Sequence, residues 1–595
     1  MFQILGQNAF LAVASWFNLL CCVLAATTTS SNILSSTKFS WPAYADLEYA
    51  TAVPKPSVTA TYAPPYSELA SLAGPQTTTT WASVASPTDS DSNFGNVAWS
   101  SLWESFSVNP PPFTTTASPT PIPSAELVKP TPLPFSIGKG ETDEYLFPQD
   151  FEWGFTGSAI QVEGAIKTEG RGPSVIEAEI GRGREGAAGA GPADISVLNY
   201  FLYKQDIARL AAIGVKSYSF SISWPRILPF GTPGSPVNQE AIDHYDDLIN
   251  TVLDYGMKPL VTLHHFDTPV YYGGYDHPEF VDGFLNYAKI VLTHYSDRVG
   301  TWVTFNEPNL EGALVRNWLS SYNVVMAHAK TVHFYREQIK GSGKWSVKLA
   351  IPGGGFPFPL DPQNPDDVAA SERQLDFMIG YVANPIYLGV QVPSSVIETL
   401  GPQAPSYTEE ELHYVKGTAD FFAIDLYNAG YATTLDDGMD SCIQNSSHVQ
   451  YPSCNNITTV RSNWQIGAQS NATPWTWFQH ARTMFKYLHT AYPTTDGIVV
   501  AEFGWPSFHE YDMTEQQARA EFAPTLFFLP IFNEMLKSIY EDGVKFKGAL
   551  GWAYVNNWEF GAYGDRYGVQ AFNNETLERS YKRSIFDIVD FINAH

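Results

Sequence analysis

Basic residues are scarce in this 595-residue chain. It contains 34 Lys and Arg against 61 Asp and Glu, which gives a formal net charge of −27 at pH 7. Binding to nucleic acid depends on clustered Lys and Arg side chains that neutralise phosphates, so this composition argues against a nucleic-acid partner. The sequence pI of about 4.8 suits a soluble protein that works in mildly acidic surroundings.

Cysteine is scarce as well, with four in the whole chain. Cys21 and Cys22 lie inside the first apolar stretch and are lost if that stretch is cleaved. Cys442 and Cys454 then remain as a close pair in a loop rich in Gly, Asn and Ser. In an oxidising compartment we expect this pair to form a disulfide that closes a short loop. Two free thiols are the alternative.

The N-terminus carries a short apolar stretch, residues 10–26, that ends in the small residues Leu24-Ala25-Ala26-Thr27. This resembles a signal peptide covering residues 1–26 with an Ala-rich cleavage site. No Lys or Arg precedes the stretch, so an uncleaved membrane anchor is the competing interpretation. We expect a secreted, cell-surface or cell-wall protein, and four N-glycosylation sequons favour export, beginning at Asn445, Asn456, Asn471 and Asn574.

Residues 27–140 are dominated by Ser, Thr, Pro and Ala. Such a segment buries too little apolar surface to offset the entropy of ordering it. We therefore expect a largely disordered, low-complexity linker or stalk. A small folded or docking element is the alternative, because the segment contains isolated aromatic residues: Trp41, Tyr44, Trp81, Trp99 and Trp103.

Residues 141–595 alternate between short β-rich runs and longer amphipathic segments. Near-continuous apolar strands are typical of parallel sheets, whose strands are buried on both faces. A doubly wound open sheet gives a similar pattern, but eight units favour an α/β fold of the (β/α)8 barrel type. The expected strands are Phe151–Ser158, Val215–Ser221, Pro259–Phe266, Thr301–Phe305, Val347–Ile351, Phe421–Tyr427, Ile498–Glu502 and Gly548–Trp552. Helices are expected between most of them, including Val197–Ile213, Gln239–Tyr255, Glu279–Tyr295, Asn323–Ile339 and Asp366–Val382.

A glutamate stands at the end of the fourth and of the seventh predicted strand. The fourth ends in Thr304-Phe305-Asn306-Glu307-Pro308 and the seventh in Val499-Val500-Ala501-Glu502-Phe503-Gly504. Barrel active sites lie at the carboxyl ends of the strands, so both side chains are expected to point into one cleft. Glycoside hydrolysis with retention needs such a pair, one protonated to deliver a proton and one ionised to attack the anomeric carbon. A solvated or salt-bridged side chain is the ordinary interpretation of either glutamate alone.

The residues around Glu307 resemble the acid/base signature of glycoside hydrolase family 1, the β-glucosidase-like family. The resemblance extends over most of residues 147–594. Residues 151–164 are similar to the family's N-terminal strand and loop, and residues 220–229, Phe-Ser-Ile-Ser-Trp-Pro-Arg-Ile-Leu-Pro, to its second-strand motif. The resemblance implies a retaining β-glycosidase that hydrolyses terminal non-reducing β-D-glycosyl residues.

The resemblance also implies individual roles. Glu307 matches the acid/base and Glu502 the nucleophile. Asn306 matches the amide that binds the sugar 2-hydroxyl, and Tyr427 matches the hydroxyl that orients Glu502. The remaining matches are Gln161, His265 and Glu559, which bind the glycone hydroxyls, and Trp552, the platform under the sugar ring. No metal, cofactor or obligatory protein partner is expected; His264 and His265 lack a third ligand at useful spacing.

The sequence departs from the family pattern at several positions. Ser219 stands where the family usually has an Arg beside the nucleophile, and the loss of that charge should make Glu502 harder to ionise. We hypothesise that Asp425, Tyr427 and a rebuilt hydrogen-bond network partly replace it. The other departures are Phe503 for Asn, Phe266 and Phe560 for Trp, and Asp425-Leu426 for Asn-His. Two interpretations stay open: an active β-glycosidase, or a catalytically weak carbohydrate-binding surface protein on the same fold.

Overall fold

The computed structural model describes residues 43, 45–51, 60–81, 92–134, 140–181, 183–352, 354–470 and 477–595. The chain divides into two compact units, residues 1–47 and residues 48–595, and everything below concerns the second. The predicted signal segment, residues 1–26, lies outside the described residues. Within the described ranges, no helix is both long and apolar enough to cross a membrane.

Eight parallel strands close into a barrel, which confirms the predicted fold. In chain order they are β1 (Glu152–Thr156), β2 (Ser217–Ser221), β3 (Lys258–His264), β4 (Thr301–Asn306), β5 (Lys344–Ala350), β6 (Phe422–Asp425), β7 (Ile498–Phe503) and β8 (Phe546–Trp552). Each strand pairs with its neighbours in sequence order, and β8 pairs with β1. Each of the eight predicted runs overlaps one barrel strand.

Helices surround the barrel where amphipathic segments were predicted. The longer helices are Asn199–Ala212, Gln239–Asp254, Phe280–Tyr295, Ser320–His333, Pro365–Leu375, Ala481–Ala491, Ala523–Asp542 and Arg583–Ala594. Shorter helices are Tyr66–Leu69, Asn96–Leu102, Ala159–Val162, Val175–Ile180, Trp224–Ile227, Tyr381–Ala383, Ser394–Leu400, Glu409–Val415, Met439–Ile443 and Glu515–Ala520. Minor strands outside the barrel are Thr78–Thr79, Val237–Asn238, Phe356–Pro359, Ala429–Thr433, Asn456–Thr458, Val460–Arg461, Trp464–Gln465, Gln570–Phe572 and Arg579–Tyr581.

Side chains on the barrel strands alternate between two apolar layers. On β5, Trp345, Val347 and Leu349 pack in the large core between the barrel and the helices. A second, smaller cluster fills the barrel interior and consists of Leu260, Val303, Phe421, Ala423, Val499, Ala501 and Leu550. Because successive side chains of a strand point to opposite faces, the even-numbered residues of β5 face this interior.

Two barrel strands contain a register irregularity near their carboxyl ends. Between β4 and β5, Val303 pairs with Ser346 but Asn306 pairs with Lys348, so β4 holds one extra residue. Between β7 and β6, Val500 pairs with Ile424 and Glu502 with Asp425. A bulge of this kind re-aims the side chains that follow it. It turns the ends of both strands, where the two predicted glutamates stand.

Part of the Ser/Thr/Pro-rich extension packs on the barrel domain. Trp99 lies on helix Asn96–Leu102 and Trp103 directly follows it, and both side chains are buried. Both indole N–H groups donate to the carbonyl of Arg171 at 3.0 Å. Thr78–Thr79 pairs in parallel with Val237–Asn238. In the described part of the extension this agrees with the alternative interpretation, a small folded or docking element, rather than with the disordered stalk. The physical reason is local: a few aromatic residues supply the apolar surface that the average composition lacks.

The predicted disulfide is confirmed. Cys442 and Cys454 are bonded, with their Cα atoms 5.6 Å apart, and both are buried in a small cluster with Leu435. They lie in the long excursion between β6 and β7. Of the predicted sequons, Asn445 and Asn574 are exposed, Asn456 is partly buried, and Asn471 lies outside the described residues.

We expect Trp103→Ala to destabilise the whole protein, because its indole is 1% exposed and packs between the extension and the barrel domain. Removal of a buried tryptophan typically lowers the free energy of unfolding by about 3–5 kcal/mol. Chemical denaturation of the full chain measures this loss. Val97→Ala on the same helix is the control, since Val97 is 53% exposed. Equal stability of wild type and Trp103→Ala would show that the extension does not contribute to the folded unit.

Candidate active site

The predicted site residues all lie at the carboxyl end of the barrel. Asn306 ends β4, with Glu307 next to it, Glu502 lies on β7 and Trp552 ends β8. The other four stand in the segments that follow strands: Gln161 after β1, His265 after β3, Tyr427 after β6 and Glu559 after β8. Residues as far apart in the chain as Gln161 and Glu559 therefore meet, because parallel strands direct all their carboxyl ends to the same side.

Glu559 is held by two neutral donors. The indole N–H of Trp552 donates to Oε1 at 2.9 Å, and the amide of Gln161 donates to Oε2 at 3.1 Å. Burial raises the pKa of the Glu559 carboxyl well above its usual range, although both hydrogen bonds oppose this rise. The three side chains thus form one connected polar group that is rigid at both carboxylate oxygens.

Asn306 and His265 form a second polar group beside it. The Asn306 amide lies 3.2 Å from Nε2 of His265, whose ring stacks at 6.0 Å on the ring of Trp552. Burial lowers the pKa of His265 well below its usual range, so the imidazole is neutral and accepts the amide hydrogen. Among the described residues, Oδ1 of Asn306 has no hydrogen-bond partner although it is buried. A buried polar atom of this kind is suited to a ligand hydroxyl.

Glu502 is buried and held at both carboxylate oxygens. The hydroxyl of Tyr427 donates to Oε2 at 2.9 Å, as the resemblance implies. The ammonium of Lys348, on β5, donates to Oε1 at 2.5 Å. Sequence reasoning missed Lys348. The available signal was a single lysine inside the predicted apolar strand Val347–Ile351, where a charged side chain needs a buried partner.

Glu307 is the residue after β4, and its backbone lies in the left-handed region with φ of +46°. This conformation is costly for a residue with a side chain and is concentrated at functional sites. Its N–H donates to the carbonyl of Lys348 at 2.9 Å. The pKa of Glu307 is raised to about 8, first by burial and second by the charge of Glu502, while Lys348 opposes the rise.

The hypothesis that Asp425, Tyr427 and a rebuilt hydrogen-bond network partly replace the role of the missing arginine stays a prediction, and Lys348 is a member of that network which it did not include. Tyr427 contacts Glu502, but it brings no charge. Asp425 is itself a buried acid, 3.9 Å from Nζ of Lys348, and burial followed by Glu502 raises its pKa well above the usual range. Among the described residues, the cation that contacts Glu502 is the ammonium of Lys348 on β5.

The aromatic departures from the family pattern fall into two kinds. Phe503 packs outward against Phe528 and Phe532 of helix Ala523–Asp542, so its side chain points away from the site. Phe266 and Phe560, which follow the site residues His265 and Glu559 in sequence, instead contact each other edge to face at 5.4 Å. His264, next to His265, packs in the core with Nε2 2.7 Å from the hydroxyl of Thr268.

The barrel and this set of carboxyl, amide and aromatic side chains are those of a glycoside hydrolase. The chain belongs to glycosyl hydrolase family 1, whose family model matches residues 143–595. It is 31% identical over 485 residues to Beta-glucosidase 1B of Phanerodontia chrysosporium, a match covering 75% of this chain and 86% of that protein.

The fold of this chain is also similar to solved structures of β-glucosidases. β-Glucosidase 2 from Trichoderma reesei, determined in complex with Tris, is 29% identical with a TM-score of 0.69, covering 75% of this chain and 99% of that one. A β-glucosidase from Humicola insolens in complex with glucose is also 29% identical, with a TM-score of 0.68 and coverage of 76% and 99%.

We expect Glu307→Gln to gain stability relative to wild type as the pH rises. In the folded protein the pKa of Glu307 is about 8, above that of an unfolded glutamate, so the folded state holds this proton at pH values where the unfolded state has lost it. Wild-type stability therefore falls between about pH 4.5 and pH 8, and the glutamine variant lacks this loss. Thermal unfolding at pH 5, 6, 7 and 8 measures the difference.

The matched control for this measurement is Glu575→Gln, which makes the same chemical change at an exposed position. Its melting temperature should follow wild type at every pH. A pH-independent difference between wild type and Glu307→Gln would contradict the raised pKa.

Proposed function

We propose that this chain is a retaining, exo-acting β-glycosidase in which Glu307 is the acid/base and Glu502 the nucleophile. The observation that carries the proposal is the contrast between the two carboxyl groups. The pKa of Glu307 is raised to about 8, whereas both carboxylate oxygens of Glu502 are held by hydrogen bonds, one from an ammonium and one from a hydroxyl group. Retention requires one carboxyl group of each kind.

In the first step, a carboxylate oxygen of Glu502 attacks the anomeric carbon and forms an ester bond as the glycosidic C–O bond breaks. The leaving oxygen takes the proton of Glu307, which becomes ionised. In the second step, Glu307 removes a proton from water while the water oxygen attacks the anomeric carbon. The ester bond breaks, Glu502 regains its negative charge, and two inversions leave the product in the β configuration.

The surrounding polar groups are proposed to bind the terminal sugar. The unpartnered Oδ1 of Asn306 is available to the 2-hydroxyl, where a hydrogen bond strengthens in the transition state. Gln161, His265 and Glu559 would bind the other hydroxyls, and Trp552 the face of the ring. The glucose complex of the Humicola relative makes a glucoside the first substrate to test.

The two glutamates should be separable by azide rescue on the full chain. With p-nitrophenyl β-glucoside, Glu307→Ala and Glu502→Ala should each lose about 100-fold or more in kcat. Azide should then restore turnover in both variants with opposite stereochemistry. Because azide replaces the second nucleophile in Glu307→Ala, that variant should yield the β-glucosyl azide; Glu502→Ala should yield the α-glucosyl azide by direct attack. Product NMR distinguishes the two anomers.

Glu575→Ala is the control variant and should turn over like wild type. The β-galactoside and β-fucoside, assayed in parallel, compare the glycones. Wild-type activity in Glu502→Ala would contradict the proposed nucleophile, and exchange of the two azide products would reverse the roles. A well-folded wild-type protein without turnover on any of these glycosides would favour a carbohydrate-binding protein instead.

We also propose that the protein is exported and glycosylated. The Cys442–Cys454 disulfide and the exposed sequons at Asn445 and Asn574 support this proposal, since disulfides persist in oxidising compartments. N-terminal sequencing of the protein from the medium should begin near residue 27 if the predicted signal segment is cleaved. Peptide:N-glycosidase treatment should lower the mass, and Asn445→Gln should remove part of that shift. An intact N-terminus in the membrane fraction would indicate an uncleaved anchor.

A further inference from the structure

Four ionisable groups are buried together at the carboxyl end of the barrel. Three of them interact with one another as carboxyl groups, from Glu307, Asp425 and Glu502, and the fourth is the ammonium of Lys348. A further carboxyl group, that of Glu559, acts on Glu502 through its charge, the hydroxyl of Tyr427 donates to Glu502, and the neutral ring of His265 lies within the electrostatic influence of Lys348. The Lys348 side chain is 2% exposed, and its Nζ lies 2.5 Å from Glu502 and 3.9 Å from Asp425. Across the described ranges of the chain, no other cation lies within 4 Å of Glu502. The charge balance of the site therefore depends on one lysine.

The strand pattern explains why Lys348 faces the site. Its neighbours Val347 and Leu349 pack outward in the helix layer, so the lysine between them points into the barrel. On β2, Tyr218 and Phe220 pack outward in the same way, and Ser219 therefore faces the interior without a charge. The interior thus has a cation on β5 and none at the β2 position where the family resemblance implies an arginine.

Lys348 contacts both proposed reacting residues through different atoms. Its ammonium donates to the carboxylate of Glu502, and its backbone carbonyl accepts the N–H of Glu307 at 2.9 Å. The same residue is opposite Asn306 in the register between β4 and β5. A change in the position of Lys348 would therefore be transmitted to both glutamates.

On these observations, and resting on the proposed function, we propose that Lys348 is the positioning residue of the nucleophile. It holds the Glu502 carboxylate in place, and it supplies from β5 the positive charge that Ser219 does not supply from β2.

The charge count agrees with this assignment. Burial alone would lower the pKa of Lys348, but the neighbouring Asp425, Glu502 and Glu307 raise it above its ordinary value, so the ammonium is retained. One cation balances one carboxylate. The contact at 2.5 Å assigns that carboxylate to Glu502, and burial favours the protonated form of Glu307 and Asp425.

The same cation serves both halves of the reaction. When Glu502 becomes the glycosyl ester, its negative charge is lost and Glu307, having released its proton, becomes the anion. Lys348 interacts electrostatically with both glutamates, so a single fixed charge offsets whichever one is ionised.

The test compares Lys348→Met, Lys348→Arg and the double variant Lys348→Met/Ser219→Arg in the full chain. The substrate is 2,4-dinitrophenyl β-glucoside, whose leaving group needs no proton, so the acid limb of kcat/KM reports the ionisation of the nucleophile. Lys348→Met should lose about 100-fold in kcat, the size typical of removing one preorganised charge contact. Its acid limb should move up by about one pH unit or more.

Two variants separate charge from packing. Lys348→Arg keeps a positive charge at the same position and should return the acid limb to the wild-type pH. In the double variant Lys348→Met/Ser219→Arg, the new arginine on β2 should restore part of the kcat that Lys348→Met loses. Lys547→Met is the matched control: Lys547 is a part-buried lysine on β8 whose Nζ lies 3.1 Å from Glu152. It should leave the acid limb unchanged.

If Glu502→Ala is inactive, the proposed function stands. In that case a Lys348→Met enzyme whose acid limb lies at the wild-type pH would overturn the inference about Lys348. Equal shifts in Lys348→Met and Lys547→Met would also overturn it, because they would indicate a general loss of structure. If Glu502→Ala retains full turnover, the proposed function itself fails.

A thermal double-mutant cycle tests the contact without any turnover. It compares Lys348→Met, Glu502→Gln and the double variant at pH 7. Each single change leaves a buried charge without its partner, so the double variant should lose less in melting temperature than the two single losses added together. Strict additivity would show that Lys348 and Glu502 are not coupled and would overturn the inference independently of activity.

Discussion

The ion pair between Lys348 and Glu502 is the interaction around which the site is arranged. Both side chains are buried inside the barrel, where an unpaired charge is costly, so each constrains the position of the other. In this pair the positive charge of Lys348 offsets the negative charge of Glu502, and the acids Glu307 and Asp425 lie beside it. Their raised pKa values follow from burial in that setting. A proton donor and an ionised carboxylate can therefore coexist in one small volume.

The barrel supplies the rigidity that this arrangement needs. Glu502 and Lys348 lie on strands whose outward side chains pack under the helix layer, as Phe503 does against Phe528. The polar group of Gln161, Trp552 and Glu559 is held by its own hydrogen bonds. Preorganised groups of this kind stabilise developing charge without reorganising during the reaction. The aromatic extension residues Trp99 and Trp103 add a further buried cluster on the barrel domain.

Much of this molecule could be predicted from the sequence, for identifiable reasons. Apolar runs that stop at polar residues predicted all eight barrel strands. Glu307 and Glu502 were recognised because they stand at the ends of the fourth and the seventh of these runs. Lys348 was missed because a run such as Val347–Ile351 is recognised by its average hydrophobicity, in which one lysine carries little weight. The extension was expected to be a stalk for the same reason, since its few tryptophans are diluted among Ser, Thr and Pro.

The class of fold, the strands and the residue types at their ends follow from the amino-acid order alone, because hydrophobic periodicity and short motifs are local properties of the chain. Which of those residues touch depends on the folded barrel. A one-residue bulge in β4 and another in β7 turn the glutamates, and strand alternation turns Lys348 inward from the fifth strand toward an acid on the seventh. Contacts between residues 154 positions apart depend on barrel closure and register, which no local pattern encodes.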